Sequence, residues 1–280
     1  MLESLRRLFL GNMEPEVGEG PVTLADILDR GWLELFYQPK IELRSKRLVG
    51  AEGLVRARHP TRGLLSPGVF LPGASESDIL RLTEHVIITA LKDWEGCAAA
   101  GIPLKLSVNV PVTALLKLPI PAILREWRPR ATAWPGLIME VTEDEILHDL
   151  SMANEVADAL RAFNCTLALD DFGAGYSSLG RLRQLPFSEL KIDRSYVVNC
   201  HIDRVNAGLC ETIVELGRRF GLRTVAEGIE STHESHKLQA IGCDIGQGYL
   251  FGKPMPKAQL IGITRRLLTG HSVRRTASRR

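Results

Sequence analysis

Residues 165–173 read CTLALDDFG. A short apolar run, rich in residues that suit a buried strand, ends in two adjacent carboxylates, Asp170 and Asp171, and then a glycine. The same unit recurs on both sides: LVGAEGLV (48–55), LKLSVNV (104–110), GLIMEVTE (136–143), ELKIDRSYV (189–197), RTVAEGI (223–229) and DIGQGYLFG (244–252). Helical stretches separate the runs, among them Asp78 to Ala98, Ser151 to Phe163 and Asn206 to Phe220. In the last of these Leu209, Ile213, Leu216 and Phe220 recur at helical spacing and predict one apolar face. Strands alternating with helices predict a parallel or mostly parallel sheet with helices packed outside it. With the early run ELFYQPKIEL (34–43) the seven units come to eight, which predicts an α/β fold of the TIM-like (β/α)8 barrel type rather than an open sheet.

Composition excludes several other classes. The chain has 280 residues, 45% apolar and 24% charged, with a net charge of +2. That is ordinary globular composition, long enough to bury a core without disulfides, and bulk charge does not make it a polyanion binder. Five cysteines without a C-x-x-C pair read as reduced thiols and point to a cytoplasmic protein. No apolar run reaches the roughly 18–20 residues of a membrane span, and no G-x-G-x-x-G or P-loop follows a strand. Residues 1–21 read as a tail or linker and 265–280 as a basic tail carrying RRTAS (274–278), leaving 22–264 as one domain.

A barrel of this kind carries its chemistry at the C-terminal strand ends. Those positions are Glu52, Asn109, Glu140, Asp170 with Asp171, Lys191, Glu227 and Gln247. Five carboxylates against Lys191 leave four negative charges, which two divalent cations would neutralise. The donors are oxygen atoms without His or Cys, which selects Mg2+ or Mn2+ over zinc. Adjacent acids such as Asp170 and Asp171 can share two ions, an arrangement suited to phosphodiester hydrolysis. Each residue alone has a plainer reading: a charge near a helix start, a turn, or for Lys191 a paired barrel lysine or an aldolase Schiff-base lysine. The coincidence at seven strand ends favours the metal reading.

The motifs FYQPKIEL (36–43), GAEGLVR (50–56), SPGVFLP (66–72), LSVNV (106–110), MEVTE (139–143), LALDDFGAGYSSLGRL (167–182), LKIDRSYV (190–197), TVAEGIE (224–230) and GCDIGQGYLFGKPMP (242–256) stand in one order. On these the chain, over about residues 24–262, resembles the EAL family of cyclic di-GMP phosphodiesterases. The resemblance implies hydrolysis of cyclic di-GMP to linear pGpG with Mg2+ or Mn2+, two ions, and a homodimer. It implies that Glu52, Asn109, Glu140 and Asp170 hold the first metal, and that Asp170, Asp171 and Glu227 surround the second. Glu52, Lys191 and Glu227 become the catalytic set, with Lys191 touching the attacking water or the phosphate and Glu227 a general base in one-metal versions. Gln38, Leu54, Arg56, Asp171 and Gln247 become substrate contacts. Glu143 becomes the anchor of the loop Phe172 to Ser178, which bears on dimerisation and regulation.

Three departures stand out. Gly53 replaces the alanine of the name-giving triplet, which adds backbone freedom beside Glu52. Gly73 and Asp78 alter the segment LPGASESDIL (71–80) and predict a shifted helix start. Pro111 replaces a serine after Asn109, which is expected to adjust the loop near the first metal. None removes a metal-ligand position, so an active enzyme is expected over the rivals: a cyclic di-GMP receptor that does not cleave, a protein-interaction regulator, or an aldolase whose Lys191 five acids would hold protonated.

Overall fold

The structure is a computed structural model and describes residues 20–142, 158–172 and 187–268. A capping box starts α1 (Leu24–Asp29), in which Thr23 and Asp26 each satisfy the other's backbone N–H. β1 (Leu33–Glu42), β2 (Leu48–His59) and β3 (Gly63–Leu65) follow as an antiparallel set. Then come α2 (Pro67–Phe70), α3 (Glu76–Ala99), β4 (Lys105–Asn109), α4 (Val112–Lys117), α5 (Ile120–Trp127) and β5 (Leu137–Thr142). β6 (Thr166–Phe172), β7 (Phe187–Ile192), α6 (Arg194–Val197), α7 (Arg204–Phe220), β8 (Arg223–Ala226), α8 (Thr232–Ile241), β9 (Ile245–Gln247), β10 (Met255–Pro256) and α9 (Lys257–Leu268) complete the described order.

β2, β4, β5, β6, β7, β8 and β9 pair in parallel, and β1 closes the ring by pairing antiparallel with both β2 and β9. The eight-stranded TIM-like barrel expected from the sequence is therefore present, with one change. The run at 34–43 is not a strand–helix unit but the first arm of a hairpin. Its tight turn uses Lys46 at φ 58°, and no crossover helix separates β1 from β2. A two-stranded return of this kind enforces antiparallel pairing, whereas a parallel neighbour needs a crossover of a dozen or more residues.

Strand registers decide which side chains face inward, because paired residues share a face and successive residues alternate. The chains of partners Gln38↔Glu52↔Ser107↔Ile138, Asn109↔Glu140↔Ala168↔Glu189 and Lys191↔Val225↔Ile245 trace the barrel interior. The intervening residues, among them Tyr37, Val108, Met139, Leu169 and Leu190, face the helices and form the buried apolar core with Ile79, Leu82, Val86, Leu91 and Trp94 of α3. The apolar core thus lies in the layer between strands and helices, while the barrel interior mixes the polar groups with Ile138, Ala168, Val225 and Ile245.

Two helix expectations change on inspection. α3 starts at Glu76 because Ser75 accepts from the Asp78 backbone while donating to the Asp78 carboxylate at 2.6 Å, so Asp78 completes the cap. α7 buries Cys210, Ile213, Val214 and Gly217, and Leu209 stands at the edge of that face, 37% exposed. Residues 158–161 are helical within the expected stretch 151–163; the earlier part of it lies outside the described residues. Pro111 is the cap of α4, its carbonyl accepting from Ala114 and Leu115.

Gly53 faces outward from β2. A Cβ there would lie 3.3–3.4 Å from Val108 Cγ1, the Ser107 carbonyl and Tyr37 Cε1. Tyr37 is held by its hydroxyl donating to Asp93 at 2.7 Å, so it yields little. Gly53→Ala therefore gains about 0.5–1 kcal/mol from a less flexible unfolded chain and loses a similar amount to crowding. The expected melting temperature lies within about 4 °C of the parent. Turnover is expected to stay within a few-fold, since Glu52 points to the other face. A calorimetric loss well beyond that range would contradict the outward placement.

Candidate metal and phosphodiester site

One end of the barrel gathers most of the polar residues expected from the sequence. Glu52 accepts from Asn109 Nδ2 at 2.8 Å through Oε1 and from Gln247 Nε2 at 2.5 Å through Oε2. Gln247 Nε2 also donates to Gln38 Oε1 at 3.0 Å, and Gln38 Nε2 to the Gly252 carbonyl at 3.2 Å. The Lys191 ammonium lies 2.5 Å from Glu140, 2.6 Å from Glu227, 3.0 Å from Asp170 and 3.7 Å from Glu52. Lys191 is only 1% exposed.

Asp170 and Asp171 are successive strand residues, which alternation would send to opposite faces. A β-bulge reconciles them. β6 spends three steps between Leu169 and Phe172 where β7 spends two between Leu190 and Ile192, and Asp171 adopts φ 54°. The Asp171 N–H donates to Asp170 Oδ1 at 2.9 Å. Carboxylate oxygens of Asp170, Asp171 and Glu227 then all lie within 4.8 Å of one another. Aspartate tolerates this left-handed backbone better than most residues, since its short side chain bonds locally.

Two buried residues of this centre were missed by reading strand ends alone. Lys40, on β1, donates to Glu140 Oε1 at 2.7 Å and lies 3.3 Å from Glu189 Oε2. Glu189, on β7, accepts from Arg223 at 2.5 Å through its other oxygen. Glu140 is thus held by a lysine on each oxygen. The signal was present: Lys40 stands two residues after Gln38 and Glu189 two before Lys191, so each shares its neighbour's inward face. Removing one member of a buried ion network leaves its partner uncompensated. Lys40→Met is expected to destabilise the fold by about 3–5 kcal/mol in urea unfolding; a loss below about 1 kcal/mol would show the contact to be incidental.

Among the described residues, six carboxylates (Glu52, Glu140, Asp170, Asp171, Glu189, Glu227) face Lys40, Lys191 and Arg223, a surplus of three negative charges. Their protonation follows. Burial, then the charge of Glu140, raises Glu52 above the usual carboxylate range. Burial raises Asp170 against the pull of Lys191 and drives Glu227 well up. Burial and the neighbouring Asp170 push Asp171 to about 7. Glu140 goes the other way: burial opposes ionisation, but Lys191 and Lys40 overcome it and hold the acid well below its ordinary value. An acid with a raised folded pKa favours the fold when protonated. That contribution is full below the unfolded value near 4 and is lost as pH rises through about 7. In chelator, unfolding free energy is therefore expected to fall between about pH 4 and pH 7; a rise across that window would refute the assignment.

Several acceptors in the centre have no donor. Asn109 Oδ1, Asp171 Oδ2 and Gln247 Oε1 are buried without a hydrogen-bond partner among the described residues. Unsatisfied buried acceptors beside surplus carboxylates call for a cation. The donor set is oxygen only, which fits a hard divalent ion. Next to this centre, Arg56 is 8% exposed and makes one hydrogen bond among the described residues, to the Val55 carbonyl at 2.7 Å. Leu54 is partly buried one residue before Val55. A buried guanidinium without a carboxylate partner suits an incoming anion. Glu143 lies outside the described residues, as does the loop from 173 onward.

Comparison with known proteins agrees with this geometry. The family model of the EAL domain matches residues 22–254. The Pseudomonas aeruginosa bifunctional diguanylate cyclase/cyclic di-GMP phosphodiesterase MucR is 36% identical over 241 residues, covering 85% of this chain and 35% of MucR. The cyclic di-GMP phosphodiesterase RocR of the same organism is 35% identical over 254 residues, covering 88% of this chain and 64% of RocR. This chain therefore spans about a third of MucR and under two thirds of RocR. A solved structure of the MucR phosphodiesterase in complex with cyclic di-GMP superposes with a TM-score of 0.78 at 36% identity, covering 85% of this chain and 97% of that one. Sequence order, barrel topology and matched relatives lead to one statement: the chain belongs to the EAL domain family.

Proposed function

We propose that this protein hydrolyses cyclic di-GMP to linear pGpG with Mg2+ or Mn2+. The observation that carries the reading is the convergence of Glu52, Asn109, Glu140, Asp170, Asp171 and Glu227 on one centre that also holds unpartnered buried acceptors. MucR and RocR bear the phosphodiesterase name, and the matched MucR structure contains the nucleotide. Glu52, Asn109, Glu140 and Asp170 would hold a first ion, and Asp170, Asp171 and Glu227 a second. Bound divalent ions supply an acidified water and neutralise the phosphodiester charge. Around them Lys191 and Glu227 handle the proton and the charge at the scissile phosphate, while Arg56 and Gln38 orient the substrate beside Leu54 and Gln247. Glu143 would anchor the loop after Asp171. The catalytic unit is taken as residues 22–264, with α9 continuing to Leu268.

Two further attributes belong to the same reading. A cytoplasmic location is supported by five cysteines that are all free and buried; among the described residues no helix is long and apolar enough to cross a membrane. A homodimer is supported by the family likeness and by exposed apolar side chains at Ile202, just before α7, and at Val205 and Leu209 on it, and light scattering of the purified protein checks it.

Purified protein incubated with cyclic di-GMP and Mg2+, followed by nucleotide chromatography, tests the function. Linear pGpG is the expected product. Tight binding without product would make the domain a receptor, and neither binding nor product would make it an interaction module.

A further inference from the structure

The centre contains a cation of its own, and its contacts are those of a bound ion. The Lys191 ammonium approaches acids from four separate strands or strand ends: Glu140 on β5 at 2.5 Å, Glu227 after β8 at 2.6 Å, Asp170 on β6 at 3.0 Å and Glu52 on β2 at 3.7 Å. Of these contacts the one to Glu140 Oε2 is a hydrogen bond, and Glu227, Asp170 and Glu52 are paired with the ammonium by charge. Asn109 Oδ1 and Asp171 Oδ2 receive nothing among the described residues. A centre with six oxygen-bearing side chains and a three-donor occupant is under-filled, whereas hard divalent ions take six or more oxygens.

Glu140 makes the overlap unavoidable. Its Oε1 is held by Lys40, which is 2% exposed and fixed from its far side by Glu189. The oxygen left for an ion is Oε2, the one Lys191 holds. An ion sharing that oxygen through its other lone pair would stand within a few ångströms of the ammonium, where two cations repel strongly, so loading drives the lysine away. The lysine's four-carbon stem from β7 lets the ammonium withdraw while its backbone stays in the sheet.

We propose that Lys191 is an internal counter-cation that occupies the ion position in the metal-free protein and must leave it when the site is loaded. The inference rests on the phosphodiesterase reading for the identity of the ion. It accounts for how surplus acids stay folded together without one. It also means that intrinsic ion affinity is reduced by the lysine's competition, and that release of the lysine is coupled to loading.

Isothermal titration of chelator-stripped protein with Mn2+, comparing the parent with Lys191→Met, tests this. Removing the competing charge is expected to tighten Mn2+ binding about tenfold or more. The stripped variant is expected to melt lower than the stripped parent and to gain more from Mn2+. Equal or weaker Mn2+ affinity in the variant overturns the proposal. If Lys191→Met does not fold, the parent labelled with 15N-lysine gives the same answer by NMR. The Lys191 ammonium resonance is expected to shift in proportion to Mg2+ added while that of Lys40 holds; a Lys191 signal unchanged at saturating Mg2+ overturns the proposal. Hydrolysis by the parent alongside an unmoved Lys191 signal defeats this inference and leaves the phosphodiesterase reading intact. Displacement of Lys191 without hydrolysis does the reverse.

Discussion

Asp170→Asn is expected to lower cyclic di-GMP hydrolysis about a thousandfold while leaving the fold at least as stable as the parent. In the proposed function Asp170 is the residue that would serve both ions. It touches Lys191 at 3.0 Å, and its carboxylate groups with those of Asp171 and Glu227. Asparagine keeps the shape and the Oδ1 acceptor for the Asp171 N–H but cannot bridge two cations as a carboxylate does. The stability side has the opposite sign. Burial raises the Asp170 pKa, so ionising it in the folded protein costs more than in the unfolded chain. Removing that charge relieves the cost, and a metal-free melt is expected to stay level or rise. Turnover assays and melts on one preparation check both halves. A variant that retains turnover would remove Asp170 from the site, and one that fails to fold would make it structural instead.

The contrast between these two effects explains why the sequence was informative about the site and less so about its surroundings. Residues such as Asn109, Glu140 and Asp170 were legible because a polar residue closing an apolar strand violates the burial pattern. Barrels, moreover, place such violations at one end. Lys40 and Glu189 violate the same pattern but sit deeper in their strands, where an isolated charge reads as solvent-facing until the register shows the partner. The bulge at Asp171 could not be read, because one inserted residue is defined only relative to β7. The antiparallel β1 was hidden for a related reason. ELFYQPKIEL has the composition of any barrel strand, and its direction is fixed by the short turn through Lys46 rather than by its own residues. The apolar stripe assigned to α7 holds at Ile213, Leu216 and Phe220, which pack on the core, and misses only its edges: Leu209 is exposed, while Cys210 and Gly217 pack inward though neither is a strong apolar marker.

Chelation is expected to reduce hydrolysis to background, with Mg2+ or Mn2+ restoring it. Without added cations the carboxylates outnumber the cations by three among the described residues, and each one that ionises repels the doubly charged dinucleotide of the proposed reaction. Two like charges about 4 Å apart repel by about 4 kcal/mol at an effective dielectric constant of 20. One such contact with the scissile phosphate is enough to lower its occupancy about a thousandfold. The lysines do not remedy this. Lys40 donates to Glu140 and Glu189, and Lys191 donates to Glu140 and is ion-paired with Glu227 and Asp170. Arg56, buried and without a carboxylate in ion-pair distance among the described residues, is the cation whose donors are open to the substrate. Chelated protein is therefore expected to lose substrate binding as well as turnover. Arg56→Ala in the presence of Mg2+ is expected to weaken binding and leave ion affinity unchanged. Anion-exchange chromatography of the nucleotides, paired with titration of cyclic di-GMP into the chelated protein, separates the two losses. Full turnover in chelator would mean that the acids are neutralised by protonation alone and that hydrolysis needs no divalent ion.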